Sequence, residues 1–382
     1  MNNLLRTRSV TSRMFRGWMI LATLALGQHA AGQSRSYIQT EVVTVSGITT
    51  SAQVDTLSQG RKQTSRTYLD GLGRPIQHIA VQASPLQKDM VQPVVYNNLG
   101  QRVKNYLPYV SGATDGAYRA SPISEQNAFY QVTTDKIAVD TAAYSQQVFE
   151  NSPLVRLLKQ GMVGTGYHPL AGQHYKTMKY RSNTAADNVL VWSNDGTTAP
   201  SYYAANVLSV TDAIDEQNIE TLVFTDISGH ALLKRQVNGS NLLDTYYIYN
   251  IAGMIIYVVP PKAVDMMQIA GNYTLTQTGV NKLLFSYVYD ALGRLVEKTI
   301  PAAAVMYVVY DALNRPVLMQ DGNLRNANQW NYIKYDLQGR AISQGIYTDA
   351  TNTTRTAMQA YVSGLNYSTT WAEQRNGVPA TG

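Results

Sequence analysis

The chain has 382 residues, of which 45% are hydrophobic, and a formal net charge of +6 at neutral pH. It contains no cysteine, which excludes disulfides, thiolate zinc sites and cysteine nucleophiles. Four of the positive charges are arginines in the first 16 residues, so the remainder carries only about +2 and does not indicate a nucleic-acid-binding protein. The 27 tyrosines, against 5 phenylalanines, favour strands with half-exposed aromatic faces.

Residues 1–32 have the pattern of a secretory signal peptide. A basic start precedes an apolar run at residues 17–27, and the small residues Ala30-Ala31-Gly32 come before Gln33. The apolar run has about 11 residues and a bilayer-spanning helix needs about 20, which favours a signal peptide over a membrane anchor. We therefore expect export to the periplasm, the cell surface or the exterior, and no membrane span in the mature chain.

Residues 33–110 are predicted to be an N-terminal β region with two repeat turns. An aspartate or asparagine followed by two tolerant residues and a glycine is typical of a type I turn. In such a turn the glycine takes a positive φ and forms a bulge between antiparallel strands. The first copy runs from Tyr68 to Arg74 and the second from Tyr96 to Gln101. The turn residues predicted here are Tyr68, Asp70, Gly73, Arg74, Tyr96 and Gly100.

Residues 111–221 interrupt the repeat and are predicted to be a mixed region of strands and short helices. Ser152-Pro153, a helical spacing of leucines and Gly161 predict a short helix over residues 152–161. A second helix is predicted to begin at Ser121-Pro122. Residues 182–200 are rich in Asn, Thr and Ser, and are predicted to be an exposed loop with a strand around Trp192.

Residues 222–347 are predicted to be a dense array of the same turns, spaced about 20 to 25 residues apart. Period-2 alternation predicts strands at residues 245–249, 254–259, 285–290, 294–300, 305–310 and 330–335. The pair Asp321-Gly322 predicts one more tight hairpin. The turn residues predicted in the array are Asp226, Gly229, Tyr249, Gly253, Tyr289, Asp290, Gly293, Arg294, Tyr310, Asp311, Asn314, Arg315, Tyr335, Asp336, Gly339 and Arg340.

Residues 348–382 are predicted to be a tail that begins a further segment, with a short helix near residues 356–362. An unfinished β array leaves an exposed strand edge, which natural sheets cover or disrupt. We therefore expect this chain to be the front part of a longer assembly.

The ordered series of turns resembles the tyrosine-aspartate (YD) repeats of the rearrangement-hotspot (RHS) proteins, and most closely the N-terminal region of secreted RHS-type proteins of Gram-negative bacteria. The resemblance covers about residues 36–347 and extends to the stretches at residues 89–93, 106–109, 152–154, 259–261 and 320–323. It implies a mainly β fold, in which an antiparallel hairpin array with a few short helices curls into a shell-like sheet. In that family the shell commonly encloses a C-terminal toxic or effector segment that follows a self-cleaving aspartyl protease site, and this sequence shows neither.

The titratable residues of the repeats have a structural explanation. An acid that starts every turn is expected to accept the turn's backbone N–H groups rather than to act as a catalyst or calcium ligand. The arginines that close the turns are expected to pair with these acids or to stack on tyrosines. His78 and His230 are assigned to packing, and so are His168 and His174, for which the sequence places no third metal ligand.

The sequence thus predicts an exported, non-enzymatic structural part of an RHS/YD-repeat shell or scaffold, without cofactor or metal. Its expected partner is a downstream shell or effector segment of a longer chain, or a separate protein, and no nucleic acid. Two alternatives remain open. Rows of tyrosines can stack on sugar rings, which would make the chain a carbohydrate-binding adhesin module, and paired carboxylates that the sequence does not reveal would make it a secreted hydrolase.

Overall fold

The computed structural model describes residues 19–23, 35–132, 136–196, 201–336, 338–365, 374–375 and 378–379. Across these residues the fold is mainly β with a few short helices, which confirms the predicted fold class. The strands are β1 Met19–Thr23, β2 Tyr37–Val43, β3 Lys62–Leu69, β4 Pro75–Val81, β5 Met90–Val95, β6 Lys104–Tyr106, β7 Tyr109–Val110, β8 Tyr144–Phe149, β9 Leu157–Gly161, β10 Lys176–Ser182, β11 Ser209–Ile214, β12 Glu220–Thr225, β13 Ala231–Asn238, β14 Asn241–Tyr249, β15 Ile255–Val259, β16 Phe285–Tyr289, β17 Leu295–Thr299, β18 Met306–Tyr310, β19 Pro316–Gln320, β20 Gln329–Tyr335, β21 Ala341–Thr348, β22 Gln374–Arg375 and β23 Val378–Pro379. The helices are α1 Ser51–Asp55, α2 Pro122–Phe129, α3 Pro261–Ala270, α4 Gly322–Asn326 and α5 Arg355–Gly364.

The chain divides into two compact units, one of Met1–Met178 with Ala213–Asn218 and one of Lys179–Asp212 with Ile219–Gly382. In the first unit, β1 to β5 pair antiparallel in chain order, β5 pairs with both β6 and β7, and the sheet continues through β8 and β9 to Lys176 and Thr177 at the start of β10. Strand β1 lies within the predicted signal peptide. That assignment, and the predicted domain boundaries, stay predictions.

The core of the first unit forms where alternating residues of the early strands point inward. In β4 the inward positions are Gln77, Ile79 and Val81, and Ile79 packs with Tyr68, Val91 and other apolar residues. Because successive side chains of a strand point to opposite faces, the residues between them are more exposed. Alternating buried and more exposed positions are therefore what a sheet with one face on the core requires.

The second unit is built on a meander of ten strands, β12 to β21, in which each strand pairs antiparallel with the next. Its larger core surrounds Phe224, Leu233 and Tyr246 and includes Met267 of α3. Helix α3 begins with Pro261 at its first position and ends at Gly271, which has a φ of +62°. The sequence analysis did not predict this helix, although both of its end signals are present.

A second core of this unit lies between the sheet and α5. Trp330 of β20 and Met358 of α5 are both fully buried, together with Val309, Leu318 and Val362. The side chain of Thr354 accepts a hydrogen bond from the backbone N–H of Ala357 at 3.2 Å, and so caps the start of α5. The helix predicted near residues 356–362 is therefore confirmed.

Helix α2 confirms the prediction of a helix that begins at Ser121-Pro122. The helix predicted over residues 152–161 is wrong, because the chain forms a hairpin turn there and continues as β9. Val155 takes a φ of +48°, which is incompatible with an α-helix, and Arg156 pairs with Glu150 across the turn. The positions of Pro153 and of the leucines after it matched the pattern of a helix start.

Two further predictions of local structure are wrong. Trp192 does not lie in a strand, and among the described residues around it, 183–196 and 201–208, the β-pairing is an isolated bridge between Leu190 and Tyr202. The Asp321-Gly322 pair does not make a hairpin. Instead the Asp321 side chain accepts a hydrogen bond from the N–H of Leu324 at 2.9 Å and caps α4. An aspartate serves a helix start as readily as a turn, so the local sequence did not distinguish the two.

Candidate functional site

The predicted repeat turns all have one backbone geometry in the structure. Their fourth residue takes a left-handed conformation, with φ between +62° and +86°. These residues are Gly73, Gly100, Gly229, Gly253, Gly293, Asn314 and Gly339. A β-bulge precedes the acid or asparagine in most of the turns, as between Val288 and Tyr289. Asn314 in place of glycine fits this geometry because asparagine tolerates positive φ better than most residues.

In the turns that start with an aspartate, this residue uses both of its carboxylate oxygens inside the turn. In the turn of Asp290, Oδ1 accepts the backbone N–H groups of Leu292 and Arg294 at 3.0 and 2.9 Å, and Oδ2 accepts from Arg294 Nε at 2.7 Å. The same three bonds form around Asp70 and around Asp311. With both oxygens engaged by the turn, a structural role explains the acid.

An eighth turn of this kind lies where the repeat seemed to be interrupted. Glu150 takes the place of the aspartate, Arg156 closes the turn, and the backbone N–H of Glu150 donates to the carbonyl of Arg156 at 2.9 Å. Val155 supplies the left-handed residue and a bulge precedes Phe149. The sequence analysis missed this turn because it has two extra residues. The signal was an aromatic-acid pair followed by arginine.

Side chains connect each turn to the next one. The guanidinium carbon of Arg294 lies 4.7 Å from the centroid of the Tyr310 ring, and Arg294 donates to Asn314 Oδ1 at 2.7 Å. Equivalent contacts join Arg315 to the Tyr335 ring, Arg74 to the Tyr96 ring and the His230 ring to the Tyr249 ring. The three arginine–tyrosine contacts are worth about 0.5–1 kcal/mol each at exposed sites.

The repeat tyrosines also make a hydrogen bond back to the preceding hairpin. The hydroxyl of Tyr310 donates to the carbonyl of Leu295 at 2.8 Å, just after the previous turn. The same bond is made by Tyr249 to Ala231, by Tyr289 to Ile255 and by Tyr335 to Pro316. The repeats of Tyr96, Tyr249, Tyr289, Tyr310 and Tyr335 are thus each held to the preceding hairpin by a ring contact, a hydroxyl hydrogen bond or both. We call this set of turn-to-turn contacts the turn ladder.

The strand pairing between successive repeats keeps one register. The residue three positions after the end of one turn pairs with the residue three positions before the next aromatic residue. For example, Gln77 follows Arg74 by three and pairs with Pro93, which precedes Tyr96 by three. The other pairs that obey this rule are Lys104–Gln146, Leu233–Tyr246, Tyr257–Ser286, Glu297–Tyr307 and Leu318–Tyr332. Successive hairpins of the array thus pair in one register relative to their turns.

Replacing Gly293 with valine is expected to lower the free energy of unfolding by about 1 kcal/mol or more. The position for a Cβ is open, with Met254 Sδ 3.7 Å away, so the cost comes from the φ of +75° and not from a clash. Gly71→Val, which lies in a turn at a glycine without positive φ and without neighbours within 4 Å, is the matched control. Urea unfolding curves that coincide for Gly293→Val and Gly71→Val would contradict this assignment.

The turn bonds change the acidity of the carboxyl groups. The backbone N–H groups of Arg74 and Arg340 hold the pKa of Asp70 and of Asp336 below its usual range, against the opposing effect of partial burial. In the turn of Asp290, partial burial raises the pKa but the bonds from Arg294 outweigh it, and the net shift is downward. These carboxylates are therefore ionised at neutral pH, as their pairing with arginine requires.

The four histidines outside the predicted signal peptide all contact groups of the protein. His168 Nε2 lies 3.1 Å from the Tyr144 hydroxyl, His174 Nδ1 lies 3.2 Å from the Glu216 carbonyl, and His78 Nδ1 lies 3.0 Å from the Thr67 hydroxyl. Burial lowers the pKa of His78 and of His168. Among the residues that the structure describes, no three His, Asp or Glu side chains gather as metal ligands would.

The structure also contains a charged network around the buried pair of Arg235 and Asp244, which the sequence analysis did not find. Arg235 donates to both oxygens of Asp244 at 2.7 Å and to the backbone carbonyl of Asp187 at 2.8 Å. Arg181 donates to both oxygens of Asp187 at 2.7 Å, and both guanidinium groups lie against the Phe224 ring. Only the fold brings these residues together, since Arg181 and Asp244 are more than 60 positions apart.

Acid is expected to weaken the second unit partly through Asp187. The bonds from Arg181, opposed by burial, lower the pKa of this carboxyl to about 2, below the value near 3.9 of an unfolded chain. The stabilisation is therefore present above about pH 4 and is lost as the pH falls toward 2, by about 2 kcal/mol. Urea midpoints of the wild type and Asp187→Asn should differ at pH 7 and converge near pH 2. A difference that is independent of pH would contradict this assignment.

Of the comparisons with known proteins, the one with solved structures bears on the fold. A family model described as a domain of unknown function (DUF6443) matches residues 41–182. No curated protein matches the chain. Among solved structures, TcdB2-TccC3-TEV aligns with a TM-score of 0.51 at 14% identity, TcdB2-TccC3 with 0.50 at 16%, and the Photorhabdus luminescens Tc holotoxin pore carrying a TccC3 mutation with 0.51 at 15%.

Each of these three alignments covers 86% of this chain and 15% of the solved chain. The chain thus spans less than a sixth of the length of the structures that it resembles. At this identity the likeness shows the mainly β fold alone. No helix in the described residues is both long enough and apolar enough to cross a membrane.

Proposed function

We propose that this chain is a non-enzymatic structural part of an exported shell or scaffold of the RHS/YD-repeat type. The observation that carries the proposal is the turn ladder, in which the conspicuous acids, arginines and tyrosines of the repeats are used to hold one hairpin to the next. The fold likeness to TcdB2-TccC3 and to a Tc holotoxin pore supports a role as one section of a much larger toxin-related assembly.

The engagement of the repeat acids supports a structural role over catalysis. A catalytic carboxylate needs an oxygen that reaches the substrate. In Asp290 and Asp311, both carboxylate oxygens accept hydrogen bonds from groups of the same turn. The repeat tyrosines are similarly occupied by arginines and carbonyl groups, and this weighs against the adhesin alternative. Exposed rings remain at Tyr167 and Tyr202, so a glycan array with the purified protein tests that alternative directly.

Export is part of the proposal, and the basic and apolar character of residues 1–32 supports it. Fusion of residues 1–40 to alkaline phosphatase, which is active only after export, is expected to give active enzyme in a bacterial host. A matched fusion that lacks residues 1–32 should be inactive. Equal activity of the two fusions would contradict the assignment.

The shell role is tested on the native assembly. We expect affinity-tagged protein from its source cells to come with an enclosed polypeptide, from the same or another chain, that resists proteinase K. The enclosed polypeptide should become digestible after mild urea opens the sheet. A protein that purifies as a free monomer, with nothing protected beside it, would count against the shell.

A further inference from the structure

In the described residues, the last repeat turn of the turn ladder has no following hairpin to stack on its arginine. Arg340 closes the turn of Asp336 with bonds at 2.8 and 2.6 Å, as the other arginines do in their turns. Within the described residues, however, no aromatic ring covers its guanidinium group. The Arg340 side chain is 77% exposed, whereas those of Arg294 and Arg315 are 20% and 26% exposed.

The strand that follows Arg340, β21, has one edge without a pairing strand in the described residues. In the described part of the chain, β21 pairs with β20 alone, so the backbone groups of its other edge have no strand partner. Ile342, two residues after Arg340, is 64% exposed, whereas Val296 at the same position after Arg294 is 2% exposed. Natural sheets do not usually leave a long apolar edge uncovered.

The interface that would cover this edge is already present several times within the chain. Where a hairpin follows β17, its tyrosine stacks on Arg294, and its hydroxyl bonds to the carbonyl of Leu295. Arg340 and Ala341 occupy the same two positions at the end of the array. The open edge is thus one half of a repeated interface whose other half is known in detail.

We propose that the β21 edge binds a β-hairpin that carries the same tyrosine-aspartate turn. The incoming tyrosine stacks on Arg340 and its hydroxyl donates to the carbonyl of Ala341. The register rule of the ladder places Ser343, three residues after Arg340, opposite the residue three positions before that tyrosine. This inference rests on the proposed function and specifies which surface of the scaffold receives the next section.

The test uses a cyclic peptide that contains residues 306–320 of this chain, a hairpin with Tyr310 at its turn. Closure with a D-proline-glycine turn offsets the marginal stability of an isolated hairpin. Because the chain has no cysteine, one introduced thiol in each partner is unique. With oxidised glutathione as the oxidant, protein with Ser343→Cys and peptide with Tyr307→Cys should form a disulfide, since directly opposed residues lie within bonding distance.

Protein with Gln344→Cys, whose side chain points to the other face, should not cross-link to the same peptide. Arg340→Ala should weaken binding of the unmodified peptide about 3- to 10-fold, by loss of the stacking contact. Tyr310→Ala in the peptide should weaken binding similarly, and the two changes together should cost little more. The matched control is Arg156→Ala, at a turn whose second strand β9 is already paired with β10.

Equal cross-linking at positions 343 and 344, or equal effects of Arg340→Ala and Arg156→Ala, would overturn the proposal. A dimer of two copies joined through Ser343→Cys that excludes the peptide would also overturn it. Failure of the peptide to bind, with protease protection intact in the native assembly, would reject this inference and leave the shell role standing. Loss of protection with the peptide still bound would reject the shell role alone.

Discussion

Replacing Arg235 with alanine is expected to lower the free energy of unfolding of the second unit by about 3–5 kcal/mol. The Arg235 guanidinium donates to both oxygens of Asp244 at 2.7 Å, and the residue is only 7% exposed. Its removal leaves the Asp244 carboxylate buried without its partner, and a buried unpaired charge is costly. It also removes the bond to the Asp187 carbonyl that anchors the loop after β10.

Urea unfolding followed by far-ultraviolet circular dichroism measures this loss. Lys234→Ala, at the neighbouring and exposed position of β13, is the matched control and should change stability by less than about 0.5 kcal/mol. The double variant Arg235→Met/Asp244→Leu removes both charges and should recover most of the loss. If Arg235→Ala were as mild as Lys234→Ala, the pair would not hold the unit together.

Replacing Trp330 with alanine is expected to cost about 3–5 kcal/mol, because it empties the centre of the core beneath α5. Trp330 is fully buried and packs with Met358 and Val362 of that helix. Its indole N–H makes no hydrogen bond within the described residues, so the tryptophan contributes through packing alone. Trp330→Phe, which keeps an aromatic ring, should therefore cost less than half as much.

Urea unfolding of both variants, with Ile342→Ala as an exposed control, checks the prediction. Near-ultraviolet circular dichroism should show loss of fixed aromatic packing in Trp330→Ala and its retention in Trp330→Phe. Equal losses for the two variants would mean that a hydrogen bond, and not packing volume, is the main contribution of the indole.

The repeat turns could be predicted from a local sequence pattern because their bonds are local. Asp290, Gly293 and Arg294 lie within five residues, and their bonds form inside that segment. The sequence was therefore sufficient to predict the turn, its left-handed residue and the strands on either side. It failed at Glu150 and Arg156, where two extra residues hid the same turn behind a proline that imitates a helix start.

The packing between the turns could not be predicted from the sequence. The arginine of one turn stacks on the tyrosine of the next because the strands of successive hairpins pair. The spacing of the turns along the sequence indicated that hairpins stack, but not which residues meet. The register rule became visible only when Gln77, Leu233 and Glu297 were seen opposite their partners. Helix α3 was missed although Pro261 and Gly271 mark its ends and Ala263, Val264 and Met267 form its buried face.

The sequence by itself determined the mainly β class, the turn positions and the structural use of the repeat acids, because these depend on bonds between residues a few positions apart. The tertiary structure alone decided the buried pair of Arg235 and Asp244 within its charged network, the covering of the Trp330 core by α5 and the open half-interface at Arg340. Each of these depends on burial or strand neighbours that distant segments supply. A linear pattern carries no record of which groups are shielded from water. Shielding strengthens the Arg235–Asp244 pair and the Trp330 core, and its absence leaves the Arg340 guanidinium exposed.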